Sequence, residues 1–436
     1  MARSIIAPAE RVTNLRWGIA VLLGVGVLIN YFDRVNLTVA GGALQKEFGI
    51  NDIGFGYLLS AFAWTYAILQ IPVGVFLDRY GVVTIGRATT LLWSIASALT
   101  AVVSGFGSIF ATRLLLGIAE TPTFPINSKA TGYWFPTKER GLATAIFDSA
   151  AKLATGIGVP IVAIILANFG WRMTFVFTAI LSFLFFLAFW AFYRNPSQDK
   201  RLTHAEREYI TSGGAQPEGL TSAGNVGAAL GYLLRQRKVW GLTIGFSAYG
   251  YSFYLLLTWL PGYLVKTYHM DIIKSGAYAM VPWIIAAVAD LIVGGWLVDY
   301  LVQHGYEQTR VRKTIIVIGM LMGLTIVGAA FTTNPNVAIF WITVALTGLA
   351  CTAPIGWSIP SLIAPKGSVG SIGGIMNFFN NAMAVAAPVV TGYIVAGTSS
   401  FSNAFIAAAV VLLIGIVSYV WILGRIEPIP EPVASR

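Results

Sequence analysis

Long apolar stretches, each wide enough to cross a bilayer, recur along this chain with short polar interruptions. A helix needs about 20 apolar residues to span the hydrocarbon core. Twelve stretches qualify, near 17–39, 54–78, 84–104, 107–129, 140–167, 171–193, 238–266, 274–302, 313–331, 336–363, 368–396 and 401–424. They lack the alternating pattern of membrane β-barrel strands. The pattern therefore predicts an all-α integral membrane protein with twelve transmembrane helices. One polar segment, 194–237, is longer than the others and separates six spans from six. It divides the chain into an N-terminal six-helix bundle (1–193), a linker and a C-terminal six-helix bundle (238–436). Within the linker, Thr203 followed by Glu206 has the capping-box pattern that starts a short surface helix. The Gly/Ser-rich run 211–229 reads as a flexible connection.

The halves echo each other. GVFLDRYG at 74–81 follows span 2, and GWLVDYLVQHG at 295–305 follows span 8. Pro136–Gly141 running into Phe147-Asp148-Ser149 is matched by Pro365–Gly370 running into Met376-Asn377-Phe378. This alignment sets Asp148 opposite Asn377 and Lys152 opposite Asn381. A duplicated six-span unit is the plan of a two-bundle, pseudo-symmetric transporter whose site lies between the halves.

Composition supports the membrane reading. Of 436 residues, 56% are hydrophobic and 11% charged, against about 25% charged in soluble domains. The net charge of +10 raises the question of a nucleic-acid partner, but the basic residues sit at helix ends rather than on one soluble face. Twenty of the 28 lysines and arginines fall in the loops on the side of the termini and of 194–237, four in the opposite loops and four inside spans. By the positive-inside rule both termini are cytoplasmic, as expected for a multi-pass protein of a bacterial inner membrane. The N-terminal apolar run continues for a full span without a cleavage site. The single cysteine, Cys351, excludes an intramolecular disulfide and a multi-cysteine metal site. His204, His269 and His304 lie near loops, leaving little material for a metal or histidine-based catalytic site. With no HExxH, GxSxG or CxxC pattern, an enzyme is not expected, nor a metal or cofactor. A sensor would add an output domain, and the linker is too short for a sizeable one. A monomer is expected.

Charged residues inside the spans carry the functional signal. Such charges cost roughly 2.5–3.5 kcal/mol each on insertion scales and are rarely kept without a use. Arg113 and Glu120 are seven residues apart in span 4, about two turns on one face. They are too far apart for an i,i+4 pair, yet suited to lining one cavity. Asp33 and Arg34 in span 1 face about 100° apart, so one can point at a cavity while the other finds a different partner. A pair snorkelling to an interface, or an ion-pair network joining helices, is the bland reading. The functional one makes Asp33 and Glu120 proton-exchanging groups and Arg113 an anion clamp or a charge partner of Asp33. Pro122 and Pro125 kink span 4 just beyond Glu120.

Asp148 and Lys152 in span 5 have the favourable i,i+4 order for a self-satisfied pair, but at mid-membrane depth a lysine can also bind a carboxylate. Asp290 in span 8 reads equally well as a cavity group or as the partner of a base on another helix. Asn377, Asn380 and Asn381 in span 11 need hydrogen-bond partners, from neighbouring helices or from a hydroxyl-rich ligand. Tyr31, Tyr66, Tyr249, Tyr251, Tyr254 and Trp357 are candidate pocket aromatics among many that simply pack. Asp78 and Arg79, in the loop after span 2, read as a conformational latch rather than a substrate contact.

These features resemble the major facilitator superfamily. GVFLDRYGVVTIGR matches its loop 2–3 signature through Gly74, Asp78, Arg79, Gly81 and Arg87, with Val82-Val83 where a basic residue is common. Within that superfamily the chain resembles anion:cation symporters, particularly D-galactonate and hexuronate transporters. The resemblance is carried by YFDRVNLTVA (31–40), SAFAWTYAILQIPVGVFLDR (60–79), RLLLGIAETPTFP (113–125), WFPTKERGLA (134–143), AEREYI (205–210) and GGIMNFFNNA (373–382). It implies that Asp33 and Glu120 couple protons and that Arg34 and Arg113 partner or modulate them. It also implies that Tyr31, Tyr66 and an asparagine of the span-11 stretch contact a sugar acid. Span 5 departs from the pattern: a substrate-binding glutamine of galactonate transporters aligns near Ala151, here flanked by Asp148 and Lys152. The lysine favours a second carboxylate, as in an aldarate, or an aromatic carboxylate. The expected function is proton-coupled import of a small organic anion, foremost a sugar acid (hexonate, hexuronate or aldarate), by alternating access. Proton symport of aromatic carboxylates is the alternative, with an organic-anion exchanger or a drug/proton antiporter further behind.

Overall fold

A computed structural model describes residues 13–136, 139–218, 226–365 and 369–430. The described residues form helices α1 (Leu15–Phe48), α2 (Asp52–Thr100), α3 (Phe106–Glu120), α4 (Thr123–Trp134), α5 (Arg140–Phe169) and α6 (Trp171–Phe192) in the first half. Short helices α7 (His204–Ser212) and α8 (Val226–Leu233) follow. The second half holds α9 (Arg237–Tyr268), α10 (Ile272–Ala289), α11 (Val298–Gln303), α12 (Gln308–Gly323), α13 (Pro335–Ile363), α14 (Val369–Thr398) and α15 (Ser402–Val417). Ten helical stretches among the described residues are long and apolar enough to cross a membrane. Two further passes complete the twelve: α3 with α4, broken at Thr121-Pro122, and α9, which carries more polar residues.

Turn chemistry explains several boundaries. Asn51 caps α2 by accepting from the Gly54 amide at 2.8 Å, and Asp271 caps α10 by accepting from Lys274 at 2.9 Å. Gly49 closes α1 in a left-handed conformation at φ 65°. Two passes share α2 without an intervening loop, the chain turning at Gly81 with φ 77° and ψ 167°, a region costly for any residue with a Cβ. Asp290–Leu297, between α10 and α11, winds as a π-helix.

The halves meet along two seams, α2 on α14 and α5 on α10. Close approach on the face opposite the termini depends on small residues. A Cβ at Gly56 would lie 2.7 Å from the Pro388 carbonyl oxygen, and one at Gly276 would lie 3.1 Å from the Pro160 Cα. Lys266 of α9 pairs with Asp52 of α2 on that face. On the terminus face, α7 is docked rather than loose. Thr203 caps it by accepting from the Glu206 amide, and the buried Glu206 receives Arg16 at 2.9 Å. Arg16 also bonds Glu139 at 2.8 Å.

Candidate functional site

Midway along the halves, α1 presents Asp33 and Arg34 to different surroundings, as their 100° offset requires. Asp33 is fully buried within the first half. One carboxylate oxygen accepts from the Trp93 indole at 2.5 Å and the Ser182 hydroxyl at 3.0 Å, and the other from the Ser97 hydroxyl at 2.8 Å. The Arg113 guanidinium donates to the Asp33 backbone carbonyl at 3.1 Å, so its contact with that residue is not a carboxylate pair. Arg113 also lies over the Phe175 ring, 5.2 Å from its centroid.

Arg34 turns the other way. Its guanidinium sits 4.6, 4.4 and 5.2 Å from the ring centroids of Tyr31, Phe62 and Tyr66. Its charge partner is Glu120, at 3.5 Å. Glu120 is fully buried at the broken end of α3, and neither carboxylate oxygen has a hydrogen-bond partner. The i,i+7 spacing thus places Arg113 and Glu120 beside the two members of the Asp33-Arg34 dipeptide.

Arg34 and Arg113 line a cleft between the halves, together with Thr38 and Phe62 of the first half and Tyr254, Thr258 and Asn381 of the second. The space open to water is about 40 Å³. A further cavity of about 200 Å³ shares Thr38 and runs towards Lys266. The Lys266–Asp52 pair and the approach of Gly56 to Pro388 join the halves at that end.

A second charged centre lies on the α5–α10 seam. Lys152 is buried and bonds Asp148 at 2.8 Å and Asp290 at 2.9 Å. Of the two readings open for Asp290, the structure gives the partner of a base on another helix. In α14, the Asn381 amide donates to the Asn377 backbone carbonyl at 2.9 Å and to its side-chain oxygen at 3.1 Å. Asn380 packs against the bare backbone of Gly250, and its buried side-chain oxygen has no partner. Trp357 is partly exposed and packs edge-on against Phe246 at 5.3 Å. Arg79 is exposed beside Tyr80, and the Asp78 side chain lies outside the described part. Trp93, Ser97 and Ser182 were not singled out from sequence. Polar or amphipathic residues four apart in an apolar helix (Trp93 and Ser97, Thr178 and Ser182) were the available signal.

The family model described as Major Facilitator Superfamily matches residues 23–388, and the chain belongs to that family of membrane transporters. It is 41% identical to the uncharacterized transporter YybO of Bacillus subtilis over 96% of this chain and 97% of that one. It is 34% identical to the probable galactarate/D-glucarate transporter GudP of Escherichia coli, over 98% of each. Among solved structures, a bacterial homologue of the human lysosomal transporter Spinster superposes with a TM-score of 0.74 at 16% identity, covering 93% of this chain and 96% of that one. The two-bundle fold is therefore that of a major facilitator transporter, not an enzyme.

Proposed function

We propose that this protein is a proton-coupled symporter that imports a sugar dicarboxylate, of the galactarate or D-glucarate type, by alternating access. Its termini lie in the cytoplasm of a bacterial inner membrane. The observation that carries the reading is the pair of guanidinium groups lining one inter-half cleft, each beside a buried acid of the same half. A substrate carboxylate entering the cleft competes for Arg34, whose partner Glu120 holds it at 3.5 Å without a hydrogen bond. Once the guanidinium is taken, the buried Glu120 has no cation at ion-pair distance among the described residues, and a proton neutralises it at lower cost than leaving it ionised. Binding of anion and proton are then linked, which is what symport requires. Asn381 of the second half supplies a polar contact for hydroxyl groups, and Lys152 is the cation for the second carboxylate. The small volume of the cleft means that substrate enters only when the halves part. The likeness to GudP across the whole chain supports a sugar acid, and Lys152 is what favours a second carboxylate.

The test is uptake of radiolabelled galactarate, D-glucarate, galactonate and an aromatic carboxylate into proteoliposomes under an inward proton gradient. Galactarate accumulation abolished by a protonophore is expected. Equilibration indifferent to the gradient would demote Asp33 and Glu120 to structural ions, and failure to carry any acid would sink the substrate class. In the same assay Glu120→Gln is expected to lose proton-driven accumulation while substrate exchange remains measurable. Wild-type accumulation by that variant refutes the coupling role of Glu120.

A further inference from the structure

Asp33, Arg34, Arg113 and Glu120 all belong to the first half, so their mutual contacts need not change when the halves rock. The Lys152–Asp290 bond is different, because it joins α5 of one half to the start of the π-helix in the other. Both side chains are buried, at 5% and 4% exposure, and the second oxygen of Asp290 has no hydrogen-bond partner. The bond sits on the seam held shut by Gly156 against Ile284 and by Gly276 against Pro160 and Ala163. Opening the face opposite the termini pulls α10 from α5 and breaks it. Lys152 is not stranded when that happens, since Asp148 on its own helix keeps it at 2.8 Å. Among the described residues Asp290 has no such second cation. The other ionisable groups facing the pair among them are Tyr249 from α9, Tyr31 from α1 and Cys351 from α13, none of them cationic. The local π-helix fits a side chain placed for a function, since such windings concentrate at functional sites.

We propose that Asp290 is an additional proton carrier that alternates between a proton and the Lys152 ammonium across the seam between the halves. In the open state Asp290 takes a proton from the outer solution while Lys152, held by Asp148, receives the second carboxylate of the substrate. After the substrate leaves towards the terminus side, the ammonium returns to Asp290. A neutral carboxyl group and an ammonium become a carboxylate–ammonium pair, and the proton departs to water. The state with the bond formed is the unloaded one, closed opposite the termini. This inference rests on the symport reading above.

The experiment compares wild type with Asp290→Asn and Asp290→Glu in proteoliposomes, using radiolabelled galactarate. The proton-to-galactarate ratio is obtained from the opposing substrate gradient that just stops net flux. The ratio is expected to fall by about one proton in the asparagine variant and to recover in the glutamate variant. An asparagine variant with the wild-type ratio overturns the proposal and leaves the symport reading intact. A wild-type protein that carries galactarate without any proton requirement overturns both. Should the asparagine variant fail to fold, Asp290→Ser, which likewise cannot exchange a proton, takes its place, and a wild-type proton-to-galactarate ratio in that variant overturns the proposal.

Discussion

At the scale of single residues, the buried carboxylates differ in how they are held. Asp33 receives three donors from helices α2 and α6, and its backbone carbonyl a fourth from Arg113. Glu120 has only the arginine, at ion-pair distance. The poorly satisfied group is the one whose environment a ligand can change, and this is why Glu120 rather than Asp33 is placed first in coupling. Arg34 is held by three aromatic rings as well as by Glu120. A desolvated cation–π contact contributes about 2 kcal/mol or more, and lysine cannot reproduce the planar stacking or the forked donor set. Arg34→Lys is therefore expected to raise KM for galactarate by about tenfold or more, corresponding to at least about 1.4 kcal/mol of lost binding. An unchanged KM in transport assays would show that substrate does not engage Arg34.

At the scale of elements, two devices fix how helices approach. Glycine allows α2 to meet α14 at Gly56, where any side chain runs into the Pro388 carbonyl. Gly56→Val is expected to prevent full closure of that face, seen as increased labelling of a cysteine placed at Lys266 by a membrane-impermeant thiol reagent. Labelling equal to that of the parent cysteine variant would show the contact to be dispensable. The second device is the docking of α7. Removing the Glu206 carboxylate takes an acceptor from the Thr13 hydroxyl, the Leu15 and Arg16 amides and the Arg16 guanidinium, although Arg16 keeps Glu139 at 2.8 Å. Glu206 is fully buried against Arg16. Glu206→Ala should accordingly lower the melting temperature of the purified protein by several degrees, read by a thiol-reactive or intrinsic fluorescence melt. An unchanged melting temperature would show that the Arg16–Glu139 bond is enough to hold that end of the molecule.

At the scale of the whole molecule, alternating access is a balance between two packings of the same halves. Closure opposite the termini is supported by many small-residue contacts and by the partly exposed Lys266–Asp52 pair. An exposed pair of this kind contributes about 0.2–1 kcal/mol. Lys266→Gln is thus expected to shift the equilibrium towards the opposite-face-open state by no more than about fivefold. The check is distance measurement between spin labels on the loops of the two halves at that face, with a larger shift implying a network beyond this pair.

The sequence by itself determined the membrane class, the twelve passes and nearly all their boundaries, because an apolar run of spanning length has one stable solution in a bilayer. It also picked out Asp33, Arg34, Arg113, Glu120, Lys152 and Asp290, because a charge at bilayer depth is conspicuous against an apolar background. It did not reveal who partners whom. Helical spacing fixes the direction of a side chain around its own axis but not which helix stands opposite. The structure therefore decided that Glu120 faces Arg34 and that Arg113 takes the backbone of Asp33 rather than its carboxylate. Tertiary packing also joined Asp290 to Lys152 across the seam. Each of those outcomes depends on contacts between residues tens to hundreds of positions apart, and only the assembled bundles bring them into contact.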